Sequence, residues 1–88
     1  MISKTHRRFW DRFRELPAGI QELARSKYRL WARDPFHPPL QFKPLLREVW
    51  SVRIGPNYRA LARRKGELVV WFWIGTHEEY DRFITQLR

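Results

Sequence analysis

The sequence predicts a two-layer α+β domain, and three observations lead to this fold class. Residues 5–33 carry apolar side chains at the spacing of two amphipathic helices. Residues 49–74 contain three segments rich in β-branched and aromatic residues, separated by turn residues. Residues 76–87 return to helical spacing. We therefore predict one domain over residues 1–88, with an N-terminal helix hairpin laid on a small antiparallel sheet and a C-terminal helix.

The first two helices are expected to form an antiparallel hairpin because their link is short. The first is predicted to be capped by Thr5, or by Ser3 one turn earlier, and to end before Pro17. Its apolar stripe comprises Phe9, Phe13 and Leu16. The second helix is expected to stop by Asp34, and its stripe comprises Ile20, Leu23, Ala24, Tyr28 and Trp31.

Residues 35–44 are predicted to be a stiff connector between the helices and the sheet. The segment contains Pro35, Pro38, Pro39 and Pro44. Because proline lacks a backbone N–H, neither a regular helix nor a central strand is expected here.

A three-strand meander is predicted after the connector. VWSVRIG (49–55) alternates between apolar and polar side chains, and YRALARR (58–64) follows it across a Gly-Pro-Asn turn. Lys65-Gly66 supplies the next hairpin turn. LVVWFWI (68–74) is continuously apolar, which predicts a central strand covered on both faces. Residues 1–4 are a candidate for a short additional edge strand.

The C-terminal helix is predicted to begin at Thr76. Glu79 lies three residues later, which is the spacing of a capping box. The apolar stripe of this helix comprises Tyr80, Phe83, Ile84 and Leu87.

The charge of the chain points to an anionic partner. Eighteen Lys and Arg against nine Asp and Glu give a net charge of +9, spread along the folded segments. Such an excess favours binding of nucleic acid or of an acidic protein. The alternative is a solvated surface that only aids solubility.

Several site and protein classes are not expected from this composition. There is no cysteine, which excludes disulfides and thiolate chemistry, and the three histidines show no metal-ligand spacing. No metal or cofactor is therefore expected. No apolar run is long enough to cross a membrane, and the N-terminal residues lack the apolar core of a secretory signal. We expect a soluble cytoplasmic protein without a membrane partner.

Candidate functional residues cluster around the predicted sheet. Arg53 is expected to face away from the helix hairpin, and Arg59 and Arg63 alternate with core residues of the next strand. His77 follows the third strand, and Tyr80 lies one helical turn further on. If these side chains meet Lys43 and Glu48 at one rim of the sheet, the site would bind phosphate through arginine and transfer protons through the other groups.

This set of groups is suited to metal-free RNA cleavage, in which the substrate's own 2′-hydroxyl attacks the adjacent phosphate. Each residue also has a structural alternative. His77 would cap or support a helix, Tyr80 would belong to the core, and Arg59 or Glu48 would pair with an opposite charge.

The order of elements and the motifs resemble the RelE/ParE superfamily of bacterial type II toxins, across nearly the whole chain. The residues that carry the resemblance are the LP turn of the hairpin, the connector 34–43, SVRIG-x-x-YRAL at 51–61 and WFWIGTHEEYD at 71–81. The last three of these segments together are most similar to a RelE-like subgroup with a GxHxxYD ending.

The resemblance implies roles for individual residues. Arg59 matches the family's phosphate-stabilising arginine. His77 falls where RelE has an arginine and some relatives have a histidine, which makes it the candidate general acid. Lys43 and Glu48 lie near the family's proton acceptor. Phe83 falls near the position of a late tyrosine in RelE, so Tyr80 is a candidate substitute.

The resemblance also implies two different activities. RelE-like members cleave messenger RNA on the ribosome, whereas ParE-like members inhibit DNA gyrase without nuclease activity. Members of both kinds are silenced by an acidic antitoxin. The proton-transfer residues favour the endoribonuclease, the gyrase inhibitor is the alternative, and a toxin retained only as a co-repressor is the third hypothesis.

Overall fold

The computed structural model describes residues 1–87 and follows the predicted order of elements, with one additional strand. The elements are β1 (Ile2–Thr5), α1 (Arg7–Arg14), α2 (Ala18–Arg33), a 3₁₀ turn (Pro38–Leu40), β2 (Lys43–Leu46), β3 (Val49–Gly55), β4 (Tyr58–Lys65), β5 (Leu68–Thr76) and α3 (His77–Leu87). The α+β class, the helix hairpin and the meander are thus confirmed.

The five strands form one sheet in the order β1-β5-β4-β3-β2. All neighbours are antiparallel except β1 and β5, which pair in parallel. The candidate edge strand at the N-terminus is confirmed as β1. β2 was not predicted, because Pro44 excludes a central strand. At the outer edge, its missing N–H leaves no ladder bond unmade.

One face of the sheet is covered by α1 and α2. Their apolar side chains and the facing strand residues form a continuous cluster that includes Phe13, Trp31, Phe42, Val52, Ile54, Ala60, Trp71 and Ile74. Trp31 packs edge-on against Phe42 and Trp71, with ring centroids 5.6 and 5.1 Å apart. These contacts confirm that the predicted stripes of the hairpin face the sheet.

The C-terminal helix α3 lies on the opposite face of the sheet, so a third layer is added to the two that were predicted. Here Val49, Leu61 and Trp73 form a smaller cluster, joined by Leu45, Phe72, Tyr80 and Phe83. A register shift between β4 and β5 pairs Leu61 with Trp73 but Ala62 with Trp71. The extra residue puts both Phe72 and Trp73 against α3. β5 is therefore covered on both faces, although β4 is the middle strand.

The helix termini differ in how well the sequence predicts them. The N-cap of α1 is His6, whose Nδ1 accepts a hydrogen bond from the Arg8 amide, because Ser3 and Thr5 belong to β1. The capping box of α3 is confirmed. The Thr76 amide donates to Glu79 Oε1 at 2.9 Å, and the Glu79 amide donates to Thr76 Oγ1 at 3.1 Å.

Arg12 connects α1 to the beginning of α3. Its Nε donates to the Ile74 carbonyl at 2.7 Å, and its Nη2 donates to Glu79 Oε2 at 2.8 Å. The guanidinium also lies 4.8 Å from the centre of the Trp73 ring. The Arg12 side chain thus links the end of β5 to the first turn of α3, which contains His77.

Candidate anion-binding and proton-transfer site

A polar pocket of about 160 Å³ lies on the α3 face of the sheet. It is lined by Gln41, Lys43, Ser51, Arg53, Arg59, His77 and Tyr80. The structure therefore brings together five of the predicted site residues, namely Lys43, Arg53, Arg59, His77 and Tyr80. We call this site the polar pocket.

Strand register explains how distant residues meet in the polar pocket. Arg53 of β3 is the direct partner of Arg59 of β4, and Lys43 of β2 is the partner of Ser51. The alternation that points Val52 and Ile54 towards α2 points Ser51 and Arg53 to the other face. The His77 amide donates to the Asn57 carbonyl at 2.6 Å, which ties the start of α3 to the β3–β4 turn.

The Arg53–Arg59 pair is the strongest electrostatic feature of the polar pocket. Like charges directly opposite on neighbouring strands are unfavourable. Among residues 1–87, neither guanidinium has a carboxylate within ion-pair distance. Burial, and then the charge of Arg53, lowers the pKa of Arg59, while Tyr80 and Asp81 act in the opposite direction. Two neighbouring positive charges that form no ion pair within residues 1–87 are suited to binding an anion such as phosphate.

The side chain of Arg59 is held in place by backbone carbonyl groups of nearby residues. Its Nη1 donates to the carbonyls of Gly55 and Tyr58, at 3.0 and 2.9 Å. These bonds fix the orientation of the guanidinium and leave its other N–H groups for a ligand. A donor fixed before the substrate arrives need not be reoriented when charge develops on it.

His77 supplies a proton-transfer group at the edge of the polar pocket. It is the first residue of α3, and its imidazole is half-exposed. Nδ1 lies 3.1 Å from Asp81 Oδ2, and the ring centre lies 5.7 Å from that of Tyr80. An imidazole beside two arginines can give a proton to an oxygen leaving a bound phosphate.

Two lining residues were missed by the sequence analysis. Ser51 is 3% exposed and is the buried polar residue of the core strands. Its alternation with Trp50 and Val52 would have placed it on the site face. Gln41 has a positive φ of 48° after the 3₁₀ turn, and this left-handed residue turns the chain into β2. No sequence signal marks Gln41 as a site residue.

Glu48 and Arg63 are not brought into the polar pocket. Glu48 is exposed in the β2–β3 turn, and its carbonyl accepts a hydrogen bond from the Arg64 amide. Arg63 lies on the α3 face, but its guanidinium sits 5.5 Å from the centre of the Phe72 ring, away from the lining residues. Alternation predicts the correct face for Arg63 but not its distance along the strand.

A second cavity lies on the other side of the sheet, between the helix hairpin and the strands. This apolar groove has a volume of about 360 Å³, and its walls include Phe9, Trp10, Tyr28, Trp31 and Trp71. Arg25, Lys27 and Arg29 also line it. Trp31 is 2% exposed, yet its Nε1 has no hydrogen-bond partner within residues 1–87.

Two further observations bear on the kind of protein. Within the described part of the chain, no three His, Asp or Glu side chains come close enough together to bind a metal ion. None of its helices has the length and apolar character needed to span a membrane.

Comparison with known structures supports one class of protein. A YoeB/ParE toxin from Agrobacterium tumefaciens is 22% identical, with a TM-score of 0.66 over 88% of this chain and 99% of that chain. The RelBE2 toxin–antitoxin complex from Mycobacterium tuberculosis matches at 22% identity and TM-score 0.69, over 86% and 90%. The isolated E. coli RelE toxin matches at 15% and 0.65, over 99% and 98%.

At these identities the likeness shows the fold, which is that of small toxins from toxin–antitoxin systems. No curated protein matches the chain. Residues 18–82 match the model of the ParE-like toxin domain, which covers well over half of the sequence. The chain therefore belongs to the ParE-like toxin domain family, and its expected place in the RelE/ParE superfamily is confirmed.

Proposed function

We propose that this protein is the toxin of a type II toxin–antitoxin system and that it cleaves messenger RNA on the ribosome. The observation that carries the proposal is the polar pocket, where the unpaired Arg53–Arg59 pair faces His77 and Tyr80. Gyrase inhibition by binding alone needs no such combination of anion-binding and proton-transfer groups.

The proposed reaction is an internal phosphoryl transfer. The 2′-oxygen of the substrate bonds to the adjacent phosphorus, and its proton passes to the side-chain amine of Lys43. Arg59, with Arg53 beside it, stabilises the charge that develops on the phosphoryl oxygens. The bond from phosphorus to the 5′-oxygen breaks, and His77 gives that oxygen a proton. The products are a 2′,3′-cyclic phosphate and a free 5′-hydroxyl.

The structure favours Lys43 over Glu48 as the proton acceptor. Lys43 lines the polar pocket, whereas Glu48 lies in the turn before β3. Glu48 lies five positions before Arg53, which along a strand amounts to roughly 16 Å. Tyr80 also lines the polar pocket and would help to orient the phosphate.

The test is primer extension on a translated messenger and on an untranslated control after induction of the toxin alone. We expect cuts only in the translated message, with a loss of roughly 100-fold or more in His77→Ala. His37→Ala is the matched control, because His37 also lies close to an aspartate, at 3.5 Å, but outside the polar pocket. Equal cutting by His77→Ala would contradict the proposal.

The alternative is a DNA gyrase inhibitor, which the match to the ParE-like family model favours. In that case, induction would arrest growth and trap gyrase–DNA complexes without cuts in translated messengers. Absence of both effects would favour a toxin retained only as a co-repressor. Each of these activities would take place in the cytoplasm, where we propose that the protein acts.

We further propose that an acidic antitoxin silences the protein and places an amphipathic segment in the apolar groove. A net charge of +9, the groove's basic lining residues and its exposed Tyr28 suit a segment that is apolar on one side and acidic on the other. Reversing Lys27 and Arg29 to Glu should slow association about tenfold at low salt and much less at high salt. Binding that does not respond to the reversal or to salt would contradict this placement.

A further inference from the structure

Asp81 is the last residue of the GxHxxYD motif, and the proposed reaction gives it no role. It lies one helical turn after His77 on α3, so that the two side chains share a face. Asp81 Oδ2 is 3.1 Å from His77 Nδ1. This is the shortest contact between a carboxylate and a histidine in the part of the chain that the structure describes.

Because the backbone of His77 is fixed, the contact with Asp81 bears on the orientation of the ring. The bond from the His77 amide to the Asn57 carbonyl holds the first residue of α3 against the β3–β4 turn. With Nδ1 beside Asp81, the other ring nitrogen, Nε2, makes no hydrogen bond to residues 1–87. Nε2 is therefore the nitrogen available to a ligand in the polar pocket.

The charged residues around His77 favour one orientation of its ring. The other charged residues that line the polar pocket are Lys43 of β2, Arg53 of β3 and Arg59 of β4, all of them basic. Asp81 is the acidic group beside the ring, and its charge also acts on Arg59. A carboxylate on one side and cations on the other distinguish the two nitrogens of the imidazole.

We propose that Asp81 is a positioning residue: it holds the Nδ1–H of the His77 imidazolium and presents the Nε2–H to the leaving 5′-oxygen, so that the neutral ring left after proton transfer keeps its proton on Nδ1. The hydrogen bond made by one ring nitrogen decides which tautomer a neutral histidine adopts. The consequence for cleavage rests on the proposed nuclease function, whereas the orientation of the ring does not depend on it.

The first test measures the tautomer directly, by long-range ¹H–¹⁵N NMR of the histidine rings in the intact protein. We expect neutral His77 to carry its proton mainly on Nδ1 and to shift towards the Nε2–H form in Asp81→Ala. His6 is an internal reference, since its Nδ1 accepts a backbone hydrogen bond and its proton must lie on Nε2. Glu78→Ala is the control, because Glu78 is a neighbouring acid of α3 whose ion-pair partner is Arg82. An unchanged His77 tautomer in Asp81→Ala would overturn the proposal.

The second test measures cleavage on programmed ribosomes. We expect Asp81→Ala to lower kcat roughly tenfold with little change in KM, less than the loss expected for His77→Ala. Asp81→Glu should restore part of kcat. If the wild type does not cut RNA but its tautomer depends on Asp81, the nuclease function fails and the positioning role stands. If the wild type cuts and Asp81→Ala matches it in both tautomer and kcat, the positioning role fails.

Discussion

The polar pocket and the apolar groove lie on opposite faces of one sheet. Within residues 1–87, each leaves a different kind of interaction unmade. The polar pocket concentrates charge, because Arg53 and Arg59 are strand partners and neither forms an ion pair with a carboxylate within residues 1–87. The apolar groove instead leaves aromatic surface open, and the buried Nε1 of Trp31 has no partner among the described residues. Either arrangement lowers the stability of the isolated chain.

The difference indicates what would complete each region. Paired cations are satisfied by a small anion and lose their attraction as salt is added. The apolar groove, where Trp31 Nε1 has no partner within residues 1–87, would be filled by a segment that brings both apolar side chains and a hydrogen-bond acceptor. A substitution can therefore remove the charge repulsion in the polar pocket without changing the apolar groove, and the reverse also holds.

The largest expected effect concerns Gly75, where the two layers are joined. A Cβ at this position would lie 2.7 Å from the Trp73 ring and 2.8 Å from Arg12 Nη2. Arg12 cannot move away without losing its bonds to Ile74 and Glu79. We expect Gly75→Ala to lower the free energy of unfolding by about 1–3 kcal/mol, measured by urea denaturation.

Gly19→Ala is the control for the Gly75 experiment. Gly19 lies in the first turn of α2, and a Cβ there meets nothing within 4 Å. This substitution should stabilise the chain by about 0.4–1 kcal/mol, since it restricts only the unfolded state. Equal effects of the two substitutions would show that Gly75 is not a point of close packing.

The next effect separates two buried tryptophans of the same cluster. Trp71 Nε1 donates to Ser3 Oγ at 3.1 Å, whereas Trp31 Nε1 has no partner within residues 1–87. Both phenylalanine variants lose similar apolar volume. We expect Trp71→Phe to lower the free energy of unfolding by about 1 kcal/mol more than Trp31→Phe, because only Trp71 loses a hydrogen bond. Equal losses would remove the argument that the apolar groove holds an unsatisfied donor.

A smaller effect is expected from relieving the charge in the polar pocket. Arg53→Gln removes one of two like charges on opposed strands, and should raise the free energy of unfolding by about 0.2–1 kcal/mol at low salt. The gain should vanish at high salt. Arg63→Gln is matched, because the strand partner of Arg63 is the uncharged Val49. A gain in Arg63→Gln as large as in Arg53→Gln would mean that net charge, and not the pair, is responsible.

The smallest effect concerns the pH dependence of the Arg12–Glu79 contact between α1 and α3. The hydrogen bond from the Thr76 amide, and then Arg12, holds the pKa of Glu79 below its ordinary value of 4.5, against an opposing effect of burial. A lowered pKa contributes stability above the unfolded value, and this contribution disappears as the pH falls through the folded one. Glu79→Gln should therefore lose roughly 0.5 kcal/mol or less at pH 7. Denaturation curves of the two proteins should converge below pH 4.5, and a constant gap would contradict this assignment.

Local rules predicted much of the fold and part of the candidate site. Alternation in β3 gave the correct faces for Trp50 and Arg53, and three-residue spacing gave the Thr76–Glu79 capping box. Both features depend on neighbours within a few residues. Such patterns are therefore visible in a single sequence.

Features set by long-range packing were not predictable in the same way. The continuous apolar run of β5 hides the register shift that turns Phe72 and Trp73 to one face, and with it the side on which α3 packs. Alternation likewise places Arg63 on the correct face without its distance from His77. The relation of Gln41 to the site depends on a left-handed turn that no local pattern signals.

The parallel pairing of β1 with β5 has a consequence for how the protein is made. Chains are synthesised from the N-terminus, so residues 2–5 have no partner strand until residues 68–71 have been added. His77 and Tyr80 follow later still, so the sheet and the polar pocket are completed only after residue 80 has been translated. A chain interrupted before β5 would carry Arg53 and Arg59, but its β1 would have no partner strand and His77 would be missing. A toxin that stops translation would therefore lack the complete polar pocket until residue 80 of its own chain has been added.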